Sequence, residues 1–116
     1  MHNYQELKVW KKAVDLATRM YEITNEFPNK EAYGLTSQIR RSAISIASNI
    51  AEGAGRNSNK DFNKFLGISY GSSCELDTQV IIAFKVNLID ETKLKSIQKD
   101  ILEIQKMNWS LKKSLH

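Results

Sequence analysis

The sequence predicts an all-α fold, an antiparallel up-down-up-down four-helix bundle, in one domain spanning residues 1–116. Three observations carry this. Proline occurs once, at Pro28, and glycine five times, so long stretches run without a helix breaker. Four of those stretches place apolar residues at helical spacing. The linkers between them are short, which makes consecutive helices antiparallel neighbours.

The first helix runs from about Tyr4 to Phe27 and ends at Pro28, because the residue before a proline avoids the α region. Its apolar surface is wide. Leu7, Trp10, Val14, Ala17 and Tyr21 form one stripe; Val9, Leu16, Ile23 and Phe27 form a second, with Ala13 and Met20 between. Together they cover roughly 200°, about twice the ~100° stripe of a simple amphipathic helix. The surplus either lies deep in the core or meets another subunit, and self-association is the expectation.

The second helix begins near Leu35 or Thr36 and ends at Glu52, where Gly53-Ala54-Gly55 supplies a left-handed cap. Its seam is Leu35, Ile39, Ala43, Ile46 and Ile50, and it carries no charge between Ser42 and Ala51. The third helix follows Asn57-Ser58-Asn59, whose side chains offer N-cap oxygens, and reaches about Val86. Phe62, Leu66, Ser69, Ser73, Leu76, Val80 and Phe84 share one side, with Gly67 and Gly71 opposite. Each interior glycine costs roughly 0.8–1 kcal/mol against alanine, so two suggest close approach by a helix, a subunit or a ligand backbone. After the turn Asn87-Leu88-Ile89-Asp90, the fourth helix runs from about Thr92 to the C-terminus. Its seam is Leu94, Ile97, Ile101, Ile104, Asn108, Leu111 and Leu115, with Asn108 placed to fix register or oligomer state. Leu102 and Trp109 lie off the seam as a second small apolar patch.

Function classes narrow quickly. One cysteine, Cys74, excludes an internal disulfide and reads as a buried thiol among small helix residues. No signal peptide and no membrane span is visible, so the protein reads as cytoplasmic, with no membrane partner. His2 and His116 stand near the two ends without partners, no Glu-x-x-His pair occurs, and Gly53-Ala54-Gly55-Arg56 is no phosphate-binding loop. No metal, no cofactor and no enzymatic activity are expected. Lys and Arg number 17 against 13 Asp and Glu, a net +4 that permits phosphate contacts without demanding them.

What remains is a polar constellation read as gathered at one end of the bundle: Gln38, Arg41, Asn49, Glu52, Arg56 and Glu75. One reading makes Gln38, Asn49, Glu52 and Glu75 part of a structural network of caps and ion pairs. The other makes Arg40, Arg41 and Arg56, followed by Lys60 and Lys64, phosphate contacts for nucleic acid.

Several strings carry a wider likeness. They are Leu7-Lys8-Val9-Trp10-Lys11-Lys12-Ala13, Phe27-Pro28, Tyr33-Gly34-Leu35 and Gln38-Ile39-Arg40-Arg41-Ser42-Ala43, then Asn49-Ile50-Ala51-Glu52-Gly53-Ala54-Gly55-Arg56, Phe65-Leu66, Gly71-Ser72 and Glu75-Leu76. The chain resembles, over residues 4–115, the four-helix-bundle family of proteins encoded in intervening sequences of bacterial 23S ribosomal RNA genes. The Asn-Ile-Ala-Glu-Gly run is specific; the fourth helix carries little of the signature. The resemblance implies a ring-like homo-oligomer, a homopentamer. Relatives that accompany diversity-generating reverse transcriptases look like basic adaptors for RNA and polymerase. Five copies at +4 would carry about +20, enough for real attraction to RNA. The expected function is therefore a non-enzymatic, oligomeric, RNA-binding bundle, with a nucleic-acid-processing protein as a further partner. The alternative is a protein–protein adaptor or assembly subunit whose Leu102–Trp109 patch or Gly67–Gly71 face takes a partner helix.

Overall fold

The computed structural model describes residues 2–115. Four helices fill it: α1 (Lys8–Thr24), α2 (Leu35–Ala54), α3 (Asn59–Lys85) and α4 (Glu91–Ser114), with short 3-10 turns at Tyr4–Glu6 and Asn29–Glu31. Consecutive helices neighbour one another and α4 closes on α1, leaving α1 and α3 on one diagonal and α2 and α4 on the other. The bundle measures 43 × 24 × 20 Å.

The helix ends follow local chemistry. Ser58 caps α3 by accepting from the Asp61 amide at 3.1 Å, and Asp90 caps α4 by accepting from the Lys93 amide at 2.7 Å. α3 ends with Asn87 in the left-handed region (φ 67°), its amide bonded to the Phe84 carbonyl while the Leu88 amide reaches Ala83. That is a Schellman closure with asparagine in the glycine role.

Three expectations about the ends are corrected. α1 starts at Lys8 and stops at Thr24, because Tyr4–Glu6 forms its own turn and Phe27 bonds back to Thr24. α2 continues through Gly53 to Ala54, and none of the glycines has positive φ, so no left-handed glycine cap exists there. His2 is not free: its amide donates to the Ala54 carbonyl at 2.8 Å and its ring lies 4.9 Å from that of Phe62. His116 lies outside the described residues.

The core is one continuous cluster. Ile39, Ala43, Ile46 and Ile50 from α2 meet Phe62, Leu66, Leu76 and Val80 from α3, with Leu16 and Met20 of α1 and Ile97, Ile101 and Ile104 of α4 completing it. The closest pairing is α2 with α3. Small residues permit it. Ser69 donates to the Ile46 carbonyl at 2.8 Å, and the Ser45 and Ser72 hydroxyls meet at 2.8 Å. At Gly53 the helices are so near that a methyl group would sit 2.7 Å from Phe65 Cβ.

The wide apolar surface of α1 divides. Val9, Ala13, Leu16, Met20 and Ile23 are buried; Trp10, Val14 and Ala17 are half-covered, and Tyr21 is exposed. Tyr4 stacks edge-on against Trp10 at 5.2 Å, so the N-terminal turn covers part of the surplus. The uncharged stretch of α2 likewise buries Ser42, Ala43 and Ala47 yet leaves Ile44 exposed. Cys74 is exposed on α3, correcting the buried-thiol expectation, and its Sγ lies 3.9 Å from Gln105 Nε2 of α4.

α1 and α4 are joined by charge. Lys12 donates to Glu103 Oε2 at 2.7 Å, and Arg19 bonds Asp100 Oδ2 and Ser96 Oγ, each at 2.8 Å. The hydrogen bond with Lys12 is the main force holding the Glu103 carboxyl below its ordinary range, and the same bond raises the Lys12 ammonium. The stabilisation from Glu103 is present above the ordinary carboxylate range and lost as pH falls through the lowered value. That from Lys12 is present below the ordinary lysine range and lost as pH rises through the raised value. The pair is solvent-facing and correspondingly weak. Melting curves of wild type and Glu103→Gln should differ at neutral pH and converge as pH falls below the ordinary carboxylate range. A constant offset over that range would show that the pair carries no pH linkage.

Candidate nucleic-acid interface

The five cations singled out in the sequence fall into two groups. Arg40 and Arg41 lie near the start of α2, whereas Arg56, Lys60 and Lys64 lie beyond its end and on the first turns of α3. From Arg41 to the end of α2 the helix rises roughly 20 Å, so no single small ligand spans both groups.

Arg40 is committed internally. Its Nε donates to Thr24 Oγ1 at 2.8 Å, and its guanidinium lies 4.5 Å over the Tyr21 ring. Thr24 is buried and passes the chain of bonds to the Met20 carbonyl at 2.7 Å. Arg40 therefore pins α2 to the last turn of α1. Arg41 is exposed and lines a shallow depression with Tyr33, Gln38, Glu75 and Gln79.

At the other end, Arg56 pairs with Glu52 at 2.8 Å and lies 4.8 Å over the Phe65 ring. That sets the guanidinium over an aromatic face while the side chain stays 46% exposed. Lys60 and Lys64 are exposed and, among the described residues, lack a carboxylate within ion-pair distance. The C-terminus of α4 arrives beside them. Lys112 reaches the Asn63 carbonyl at 3.4 Å, and Lys113 follows it, exposed. Arg56, Lys60, Lys64 and Lys112 thus lie where the α2–α3 turn meets the end of α4, with Lys113 in the same last turn of α4.

The polar constellation read as one cluster is strung along the α2–α3 face instead. Gln38, Arg41 and Glu75 share the depression near the start of α2. Asn49 bonds to the Ser45 carbonyl and hydroxyl at 2.8 and 2.9 Å in the middle, and Glu52 serves Arg56 at the far end. The physical reason is helix rise. Residues at offsets of three and four share a face but not a level.

Sequence reasoning missed Lys112 and Lys113. They sit in the last turn of α4, where lysines are also explained by the helix dipole, and nothing local ties them to α3. Among the described residues, no three His, Cys, Asp or Glu side chains are grouped to hold a metal ion. Nor is any helix there long and apolar enough to cross a membrane.

Comparison with known proteins fits this architecture. A family model described as 23S rRNA-intervening sequence protein matches residues 5–110. Among solved structures, the chain is similar to a protein with unknown function from the S23 ribosomal protein family of Bacteroides thetaiotaomicron VPI-5482. The two share 27% identity with a TM-score of 0.84, over 90% of this chain and 95% of that one. Comparison with curated proteins gives no match. A pattern that runs from the N-terminal turn through most of α4, on a bundle of the same shape, makes this chain a member of the 23S rRNA-intervening sequence protein family.

Proposed function

We propose that the chain is a non-enzymatic cytoplasmic protein that assembles as a ring-like homopentamer and binds RNA through phosphate contacts. The observation that carries this reading is the basic end of the bundle. Arg56, Lys60, Lys64 and Lys112 lie there, with Lys113 next to Lys112 in the chain, and only Arg56 is engaged by a carboxylate among the described residues. Exposed lysines contribute sequence-independent affinity by displacing counterions from the phosphate backbone. Arg41, exposed on α2, extends the contact along that helix. Arg40 belongs to the scaffold. A ring repeats each basic end in every subunit, so a modest charge per chain becomes a continuous one. The half-covered Trp10 and Val14, with the exposed Tyr21, supply apolar surface for assembly.

The test is fluorescence anisotropy of labelled structured RNA across a salt titration, with sedimentation to weigh the assembly. Affinity should fall steeply with salt. The triple variant Arg56→Ala, Lys60→Ala, Lys64→Ala should weaken binding to unrelated RNAs alike. Its salt slope should be shallower by roughly one for each phosphate that a deleted cation had neutralised. Sedimentation should give five times the mass of one chain. No binding at low salt, or an unchanged slope in the triple variant, removes the RNA reading; a monomer removes the ring. The alternative, an adaptor without direct nucleic-acid binding, is favoured by the half-exposed Leu102 and Trp109, and predicts a protein partner that survives nuclease.

A further inference from the structure

An apolar depression lies in the groove between α3 and α4, beside the basic end, with which it shares Lys112. It encloses about 500 Å³, and its floor and walls are Gly67, Tyr70, Leu102 and Trp109. Leu102 is 50% exposed and Trp109 59%, although both stand on a helix whose other large apolar residues are covered. A leucine and a tryptophan seven residues apart project about 10 Å apart along α4, two turns of one helix face.

On the opposite wall Tyr70 stands beside bare backbone at Gly67, with Gly71 one turn further along α3. A methyl group at Gly67 would meet only the flexible end of Lys112, at 3.4 Å, and at Gly71 it would meet nothing within 4 Å. Neither glycine is required by the packing of this chain, unlike Gly53. Two helix-weakening residues without an internal reason leave α3 open to close approach by another backbone.

The groove is also one-signed. Lys106 and Lys112 stand on its rim, and among the described residues no carboxylate lines it. Asp100 and Glu103 of α4 are turned to α1 and neutralised there by Lys12 and Arg19. An apolar floor between two helices, a glycine wall and a cationic rim together describe the complement of one kind of ligand. We infer that the α3–α4 groove docks an amphipathic helix of a partner protein, one that carries two apolar side chains a heptad apart and acidic residues flanking them. The apolar pair fills the space beside Leu102 and Trp109, the helix backbone lies against Gly67 and Gly71, and the carboxylates meet Lys106 and Lys112. This does not depend on RNA binding at the basic end.

The probe is a fluorescein-labelled synthetic helix with two leucines a heptad apart and glutamates beside them, titrated with the full chain. Saturable binding is expected. Trp109→Ala and Leu102→Glu should each weaken it by roughly tenfold or more, since a buried aromatic anchor dominates such contacts. Gly67→Leu fills the groove and should abolish binding with the helical circular dichroism unchanged, because the fold leaves room at that position. A peptide with lysines in place of the glutamates should not bind. The Arg56→Ala, Lys60→Ala, Lys64→Ala variant should bind the acidic peptide as wild type does, which separates this inference from the RNA reading. Absence of saturable binding, or equal binding by Trp109→Ala or by the lysine peptide, would each overturn it.

Discussion

Gly53→Ala should destabilise the protein by about 2 kcal/mol, although alanine is the better helix former. The substitution gains about 1 kcal/mol of helix propensity. Against this, the added carbon would lie 2.7 Å from Phe65 Cβ, 2.9 Å from Phe62 Cδ1 and 3.2 Å from the Phe62 carbonyl oxygen. Two of these are fixed to the α3 backbone and cannot swing aside, so relief requires α3 to shift away from α2. Such overpacking costs up to about 3 kcal/mol and outweighs the propensity gain. A fall of roughly 8–10 °C in the thermal midpoint is the readout. Gly71→Ala provides the control, for there the added carbon meets open space and the midpoint should rise. A rise in both variants would mean that α3 can slide along α2 at no cost. The result also bears on the Asn-Ile-Ala-Glu-Gly run, in which Gly53 serves the α2–α3 contact and does not end the helix.

Asn108→Leu should stabilise the protein by about 1–2 kcal/mol. Asn108 is 1% exposed in the middle of an apolar seam. Its amide donates to the Leu66 carbonyl at 3.2 Å, but its own Oδ1 finds no hydrogen-bond donor. A buried acceptor without a partner costs about 1–3 kcal/mol, and an apolar group of similar shape removes that cost. The Leu66 carbonyl lies inside α3, where the helical ladder supplies its donor, so little is lost on that side. Asn108→Ala should instead destabilise, because it leaves a cavity. Urea midpoints measure both. A lower midpoint for Asn108→Leu would show that Oδ1 is satisfied in solution. A buried asparagine retained at such a cost fits a role in fixing how helices register.

The candidate interface is only half legible in the sequence. Lys60 and Lys64 are visible there because they follow a glycine turn on the first exposed turns of a helix. Arg40 is not separable from Arg41 by sequence, since adjacent residues on a helix diverge by about 100° and one of any such pair turns inward. Which one turns inward depends on Thr24 and Tyr21, sixteen and nineteen residues away. Lys112 joins Lys60 and Lys64 only because α4 ends beside Asn63, a contact across 49 residues.

The four helices, their seams and the Ser58 cap of α3 can be read from the amino-acid order alone, because they rest on a 3.6-residue period and on a side chain within one turn of the backbone it caps. Ile39, Ala43, Ile46 and Ile50 are inside for that reason, as are Leu94, Ile97, Ile101 and Ile104. How near α2 and α3 approach, which glycine that approach requires and which ones face open space were settled by the packed bundle. So were the outward direction of Cys74, the spread of the polar residues over the length of α2, and the hold of α1 on Asp100 and Glu103 of α4. Each of these depends on the rotation and level of one helix relative to another. Those are fixed by the fit of side chains across the core, and no local spacing encodes them.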